Sequence, residues 1–302
     1  MSAQLPGRPV VTDGGLETDL IFHHGVDLPY FAAFPLLDSE EGRSLLTEYY
    51  DGYAAIAERA RAALMLESAT WRASSDWGKL LGYSEDTLAR VNRDATAMLL
   101  ALRDKYRRTV TDVVVGGAVG PRGDGYRPDR LMEAAEAAEY HRPQIEAFAQ
   151  AGADLVTAYT ITHVGEASGI VRAARAVGLP VAISFTVETD GRLPSGDSLK
   201  TAVTTVDEEG GPDYFLVNCA HPVHVSQALA EEGPWRNRIA GLRCNASTKS
   251  HAELDEATQL DEGDLRLLTT THDQLKPLLP NLSIIGGCCG TDARHVAALW
   301  GL

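Results

Sequence analysis

The chain has 302 residues, enough to bury a sizeable core without disulfide or metal staples, and its 44% hydrophobic and 23% charged content excludes broad disorder or a collagenous repeat. Lys and Arg number 27 against 42 Asp and Glu, a net charge of −15 with no basic run. Nucleic-acid binding rests on clustered Lys and Arg that release counterions, so DNA and RNA are not expected partners. No run of ~18 apolar residues occurs, which argues against a membrane partner, and the Met-Ser-Ala-Gln-Leu-Pro-Gly start lacks the charged-then-apolar order of a secretory leader. The expectation is an unprocessed cytoplasmic protein.

Short β-branched runs alternate with amphipathic stretches rich in Ala, Leu, Glu and Arg. In chain order the pattern predicts strand Val10 to Asp13, helix Glu41 to Ala62, strand Ala63 to Glu67, helix Ser84 to Arg108, strand Asp112 to Gly116 and helix Arg130 to Ala151. It continues with strand Asp154 to Tyr159, helix Gly165 to Val177, strand Pro180 to Val187, helix Ser198 to Glu208, strand Tyr214 to Cys219 and helix Val223 to Glu232. Strand Arg238 to Cys244, a helix within Ala252 to Leu279, strand Leu282 to Gly287 and helix Thr291 to Leu302 complete the series. Gly152, Gly178 and Gly211 stand where helices stop, since glycine accepts the positive φ that ends them.

Eight such units of about 38 residues suit one α/β domain, a (β/α)8 barrel of TIM type over residues 1–302. A doubly wound sheet is the competing arrangement, and strand count does not separate the two. Pro121 to Asp129 reads as a long loop after the third strand, on the active-site face if the barrel is right. Gly116 to Gly120 follows a strand as a dinucleotide loop would, but Pro121 and the loop behind it spoil the immediate turn into a helix. The polar, acidic segment Ser247 to Asp264 reads as a loop lining the mouth.

The chemistry concentrates in the cysteines. Cys219 ends the sixth predicted strand, and Cys288 and Cys289 end the eighth, so all three face one barrel mouth. Adjacent residues on a regular strand point to opposite faces, and two neighbouring thiols can share an ion only where the strand has broken; Gly286, Gly287 and Gly290 supply that freedom. Three soft ligands suit Zn2+ and leave a fourth position open for a substrate, the catalytic rather than the structural arrangement. An isolated cysteine is more often a small buried hydrophobe; Cys244 is given that reading, whereas two thiols in a tight glycine turn have little packing rationale.

Asp13-Gly14-Gly15-Leu16-Glu17-Thr18, Val217-Asn218-Cys219 and Gly286-Gly287-Cys288-Cys289-Gly290-Thr291 together resemble the homocysteine S-methyltransferase family. Weaker similarity at Val115 to Pro121, Ser184-Phe185-Thr186 and Asn245 extends the resemblance over nearly the whole chain. It implies a (β/α)8 barrel that binds zinc through Cys219, Cys288 and Cys289 and methylates a thiol, typically homocysteine, to a thioether such as methionine. The partners implied are a small thiol and an onium or methylated-pterin donor; a corrinoid would have to come from another protein, and oligomeric state is not read from one chain. By the same resemblance Asp13 binds the substrate amino group, Ser68 and Trp71 fall among pocket residues, and Asn218, with Asp13, Ser68 and Tyr159, is expected to bind substrate.

Tyr159 stands where the family has a second ammonium-binding glutamate. It is read as a packing aromatic, a contact to a different thiol or a group near the metal, with Glu67 and Glu188 as acidic residues able to replace the charge. His221, His224 and the pair His23-His24 are rival ligands, but no His-x-His or His-Glu-x-x-His pattern occurs. The leading reading is a zinc-dependent thiol S-methyltransferase. Its alternative is a zinc-thiolate barrel that holds a thiol without turning it over.

Overall fold

The computed structural model describes residues 7–127 and 130–302. Pro128 and Asp129, the end of the loop expected over Pro121 to Asp129, lie outside the described residues, as does the start through Pro6. Eight parallel strands close into a barrel in chain order: β1 (Val10–Val11), β2 (Ala63–Glu67), β3 (Val113–Val119), β4 (Leu155–Ile161), β5 (Val181–Phe185), β6 (Tyr214–Asn218), β7 (Ile239–Cys244) and β8 (Ile284–Gly287). The helices are α1 (Leu16–Phe22), α2 (Glu40–Ala60), α3 (Ser75–Leu80), α4 (Glu85–Tyr106), α5 (Ala134–Ala151), α6 (Val164–Ala176), α7 (Leu199–Glu208), α8 (Pro222–Ala228), α9 (His251–Asp255), α10 (Leu265–Leu275) and α11 (Ala293–Leu299). The barrel reading therefore holds over the doubly wound sheet. No described helix is long and apolar enough to cross a membrane.

Strand periodicity sorts the side chains. Val10, Ala63, Met65, Val114, Leu155, Ala182, Leu216 and Ile284 form the apolar floor inside the barrel. Their neighbours one residue along, such as Val11, Leu64, Val115, Val156, Ile183, Phe215 and Ile285, pack outward under the helices. Two residues further toward the mouth the interior turns polar: Thr12, Glu67, Thr157, Ser184 and Asn218 are all buried. The floor is a packed core, and the layer above it is the beginning of a site.

β3 runs past its predicted limit and the β6–β7 pairing departs from regular register, each for a physical reason. Gly116-Gly117-Ala118-Val119 is the second half of β3 rather than a turn after it. A Cβ on Gly116 would lie 2.3 Å from Glu67 Oε2, and one on Gly117 would lie 2.4 Å from the Phe148 ring of α5. Glycine there makes room on both faces of the strand. Between β6 and β7 the register shifts, so that Leu216 meets Gly241 and Asn218 meets Arg243. That shift carries Arg243 to the interior beside Asn218, a placement that strict alternation from the interior Ala240 does not give.

The helix ends follow their local chemistry. Ser39, Ser84 and Ser198 cap α2, α4 and α7 by accepting backbone N–H groups of the first turn, and Gly152 ends α5 in the left-handed region. The short helices α1 and α3 lie in segments to which the sequence pattern assigns no element. Replacement of Gly117 by Ala must push the Phe148 ring out of the α5–β3 contact, and it is expected to destabilise the protein by about 1–3 kcal/mol. A denaturant midpoint shifted downward with an unchanged slope is the outcome that checks it.

Candidate metal centre and substrate cavity

Cys219 directly follows β6, and Cys288 and Cys289 directly follow β8. Their three sulfurs lie within 4.8 Å of one another, and Cys219 Sγ is 3.6 Å from Cys289 Sγ. Cys219 adopts φ +57°, a left-handed conformation that costs a non-glycine residue about 1–2 kcal/mol. Its surroundings hold it there: its amide donates to the Arg243 carbonyl at 3.1 Å, and its own carbonyl accepts from Asn245 Nδ2 at 3.1 Å and His251 Nε2 at 2.5 Å. On the other side, Thr291 folds back on the Cys288 carbonyl through its amide at 3.0 Å and its hydroxyl at 2.7 Å. Gly290 completes that turn at φ +77°, where a Cβ would lie 2.6 Å from the Asp261 carbonyl oxygen.

These sulfurs fit a tetrahedral ion. Metal–sulfur bonds of about 2.3 Å at tetrahedral angles separate neighbouring sulfurs by roughly 3.8 Å, close to the Cys219–Cys289 distance. The three thiols share their protons unequally: hydrogen bonds from Cys219 and Cys289, followed by the Arg243 charge and the Asn218 amide, hold Cys288 well below the usual thiol range against the effect of burial, while the hydrogen bonds to Cys288 and burial push Cys219 and Cys289 well above it. Cys244 is fully enclosed, burial pushes its thiol up, and it lies outside the cluster.

Polar side chains converge on the thiols. Asn218 Oδ1 accepts from the Thr160 amide at 2.9 Å and the Ser184 hydroxyl at 2.7 Å, which leaves Nδ2 directed at Thr160 Oγ1 at 2.9 Å and Cys288 Sγ at 3.7 Å. The Tyr126 hydroxyl, from the long loop after β3, lies 3.1 Å from Cys219 Sγ and 3.8 Å from Cys289 Sγ. The Tyr126 ring stacks on His251 with centroids 4.1 Å apart, and His251 Nδ1 faces Glu188 at 2.8 Å.

Asp13 is also at the site, but it is not free. Arg243 Nη2 meets Asp13 Oδ1 at 2.6 Å, and the hydroxyls of Thr12 and Tyr49 donate to the same carboxylate. Burial pushes the Asp13 carboxyl up, and Arg243 opposes that shift. The guanidinium also donates to the carbonyls of Gly287 and Gly14 at 3.0 and 3.1 Å and lies 4.6 Å from the Tyr159 ring centroid. Tyr159 in turn donates its hydroxyl to Glu67 Oε1 at 3.0 Å, as Thr157 does at 2.7 Å, while Glu67 Oε2 is buried without a partner among the described residues. Burial raises Glu67 to about 7. A carboxyl on β2 thus lies beside the tyrosine of β4.

The three cysteines, Asp13, Glu67, Tyr126, Tyr159, Asn218 and Arg243 line one cavity of about 400 Å³, together with Glu17, Ser68, Trp71, Arg72 and Trp77. Ser68 Oγ is engaged by the Ala118 amide at 3.0 Å and by Thr70 Oγ1 at 2.6 Å, and Trp71 Nε1 donates to the Tyr159 carbonyl at 3.3 Å. Of the other acidic residues considered, Glu188 is bonded to His251 and is not part of the cavity wall. The histidines hold other posts. His221 caps α8 by accepting from the Val223 amide. His23, itself exposed, sits in a separate cluster with Glu262 and the buried Asp292, where Arg294 already pairs with both acids.

Four residues of the site were not legible in the sequence: Arg243, Tyr126, His251 and Arg72. Tyr126 lies in the loop assigned to the active-site face and His251 in the segment assigned to the mouth, so their regions were marked although the residues were not. Arg243 depended on the β6–β7 register shift.

The homocysteine S-methyltransferase family matches residues 10–300, and the chain belongs to it. It is similar to "Homocysteine S-methyltransferase YbgG" of Bacillus subtilis (strain 168), at 24% identity over 95% of this chain and 92% of that protein. "Homocysteine S-methyltransferase 3" of Zea mays is 23% identical over 97% of this chain and 89% of its own length. Among solved structures, the fold is that of the homocysteine methyltransferase MmuM from Escherichia coli in its metallated form, with a TM-score of 0.75 at 21% identity, covering 97% of this chain and 96% of that one.

Glu67 supplies a test of the site's electrostatics. A carboxyl raised from about 4.5 to about 7 favours the folded state when protonated; that contribution is complete below about pH 4.5 and is lost as pH rises through about 7. Gln at this position does not titrate. The stability of wild type relative to Glu67→Gln is therefore expected to fall by about 3 kcal/mol between pH 4.5 and pH 8, measured by denaturant titration of both proteins. A pH-independent difference would contradict the assignment.

Proposed function

We propose that this member of the homocysteine S-methyltransferase family is a zinc-dependent methyltransferase acting on homocysteine or a related small thiol, with an onium compound or a methylated pterin as donor. The observation that carries the reading is the convergence of three cysteine sulfurs within 4.8 Å in the wall of one cavity. Cys219, Cys288 and Cys289 would hold the ion. Zinc, when bound, would keep the acceptor sulfur as a thiolate at neutral pH, where a free thiol with a pKa near 8.5 is only a few per cent ionised.

The chain's own residues supply the rest. Asn218 offers its amide to the sulfur cluster from a position fixed by Thr160 and Ser184, and the Tyr126 hydroxyl covers the same cluster from above. Both moderate the charge on the thiolates without removing it. Asp13 with Arg243, and Tyr159 with Glu67, would line the pocket of the acceptor's chain. Ser68, tied to β3, would position that wall. The acceptor sulfur forms a bond to the methyl carbon while the bond from carbon to the onium atom breaks, and the leaving group departs neutral. Charge is thereby removed rather than separated, and alignment of the two substrates in the cavity supplies much of the acceleration. Reduced thiols of this kind suit a reducing compartment such as the cytoplasm.

The purified protein is expected to carry about one zinc per chain. Cys219→Ser, Cys288→Ser and Cys289→Ser are each expected to lose the metal and to lower methyl transfer at least about a hundredfold, whereas Cys244→Ser keeps both. Metal analysis and mass detection of the methylated thiol read the two outcomes. Stoichiometric zinc that survives the double replacement of Cys219 and Cys288 would overturn the metal assignment. Zinc without transfer from any donor would leave a thiol-holding barrel.

A further inference from the structure

Arg72 is more than nine-tenths buried, at 7% exposure, and it lines the cavity. Its guanidinium carbon lies 4.0 Å from the Trp71 ring centroid and 3.9 Å from that of Trp77. Among the described residues it makes a single hydrogen bond, from Nη1 to the Gly123 carbonyl at 2.9 Å. Among the same residues its Nε is buried with no partner and no carboxylate lies within ion-pair distance of it; Asp124 and Glu17 act on it only at longer range. Arg243, the other buried arginine of the cavity, is by contrast saturated by Asp13 and two carbonyls. A buried charge is costly unless something pairs with it. Even with burial drawing its pKa down to about 10, Arg72 carries its charge at neutral pH.

We propose that Arg72 is the receptor for a carboxylate of the methyl donor, so that the donor is a zwitterion with its onium group toward the cysteines and its carboxylate on this guanidinium. The proposal rests on the reading of the cavity as a methyl-transfer site and names the class of donor that site selects. Three features support it. The guanidinium fork matches a planar carboxylate, and such charge-assisted pairs are among the stronger polar contacts. Arg72 occupies the faces of Trp71 and Trp77, which a bare cation would otherwise use, and it meets such a cation with like charge. Of the inner acidic groups, Asp13 is paired with Arg243 and Glu67 is held through Oε1 alone, whereas Arg72 belongs to the outer, aromatic side of the cavity, where Trp77 neighbours the exposed Tyr30 with ring centroids 6.1 Å apart.

The test compares S-methylmethionine with its decarboxylated counterpart, (3-aminopropyl)dimethylsulfonium, on the zinc-loaded protein. Binding is followed by the fluorescence of the tryptophans flanking Arg72, and methyl transfer is followed separately. Wild type is expected to bind the carboxylated sulfonium about ten- to a hundredfold more tightly. In Arg72→Gln that preference falls to within about twofold, with binding of the decarboxylated sulfonium unchanged or improved, and Arg72→Lys retains part of it. Equal affinity of wild type for the two sulfoniums overturns the proposal whatever the variants do. So does an Arg72→Gln effect confined to the acceptor pair, homocysteine against 3-aminopropane-1-thiol, because the carboxylate then belongs to the acceptor. Because binding needs no turnover, selective binding without methyl transfer refutes the enzymatic reading and leaves the role of Arg72 standing, while transfer from both sulfoniums alike does the reverse.

Discussion

The mouth of this barrel is organised by one buried ion pair. Asp13 follows β1 and Arg243 lies in β7, and their side chains meet at 2.6 Å with both nearly sealed from solvent. Burying two charges is repaid only when geometry is good and the remaining donors and acceptors are satisfied. Here they are: the guanidinium reaches the carbonyls of Gly14 and Gly287, and the carboxylate receives the hydroxyls of Thr12 and Tyr49. One arginine thereby joins the ends of β1, β7 and β8, the seam where the sheet closes on itself. The Gly287 amide donates to the Asp13 carbonyl and the Cys288 amide to the Cys244 carbonyl, so the two adjacent thiols hang from this seam.

The third thiol is delivered by strain rather than by closure. A cysteine continuing β6 in extended conformation would turn away from Asn218, since successive side chains alternate. The left-handed backbone at Cys219 breaks that alternation. The cost of the unusual φ is offset by the Asn245 and His251 hydrogen bonds to its carbonyl, and His251 is itself braced by Glu188 and stacked on Tyr126. Residues distant in sequence therefore act on one backbone carbonyl. Strain of this kind persists only where the surroundings over-determine it, and it gathers at functional sites.

What could be read from the sequence followed from periodicity and from local chemistry. Short apolar, β-branched runs placed all eight strands, amphipathic stretches and glycine stops placed the main helices, and the glycine turn identified Cys288 and Cys289 as more than packing residues. What could not be read depended on features that are not local. Arg243 faces inward only because the β6–β7 register slips, and β3 runs through Gly116 and Gly117 only because Glu67 and Phe148 need the space. Asp13 was recognisable as a site residue, but its neutralisation by an arginine over two hundred positions away was not.

That neutralisation bears on Tyr159. With a tyrosine at the end of β4, the carboxyl beside it comes from β2, and Glu67 is held there by the hydroxyls of Tyr159 and Thr157. The inner wall is thus internally balanced: Asp13 against Arg243, and Glu67 near its own point of half-ionisation at neutral pH. An ammonium brought to this wall would find Asp13 already committed and Arg243 alongside it, so its recognition would require either displacement of the guanidinium or the unpartnered oxygen of Glu67. Gly116 is what gives that oxygen its space, since any larger residue would occupy it. The polarity of this wall is therefore decided by a glycine on β3 and an arginine on β7, neither of which touches the thiols.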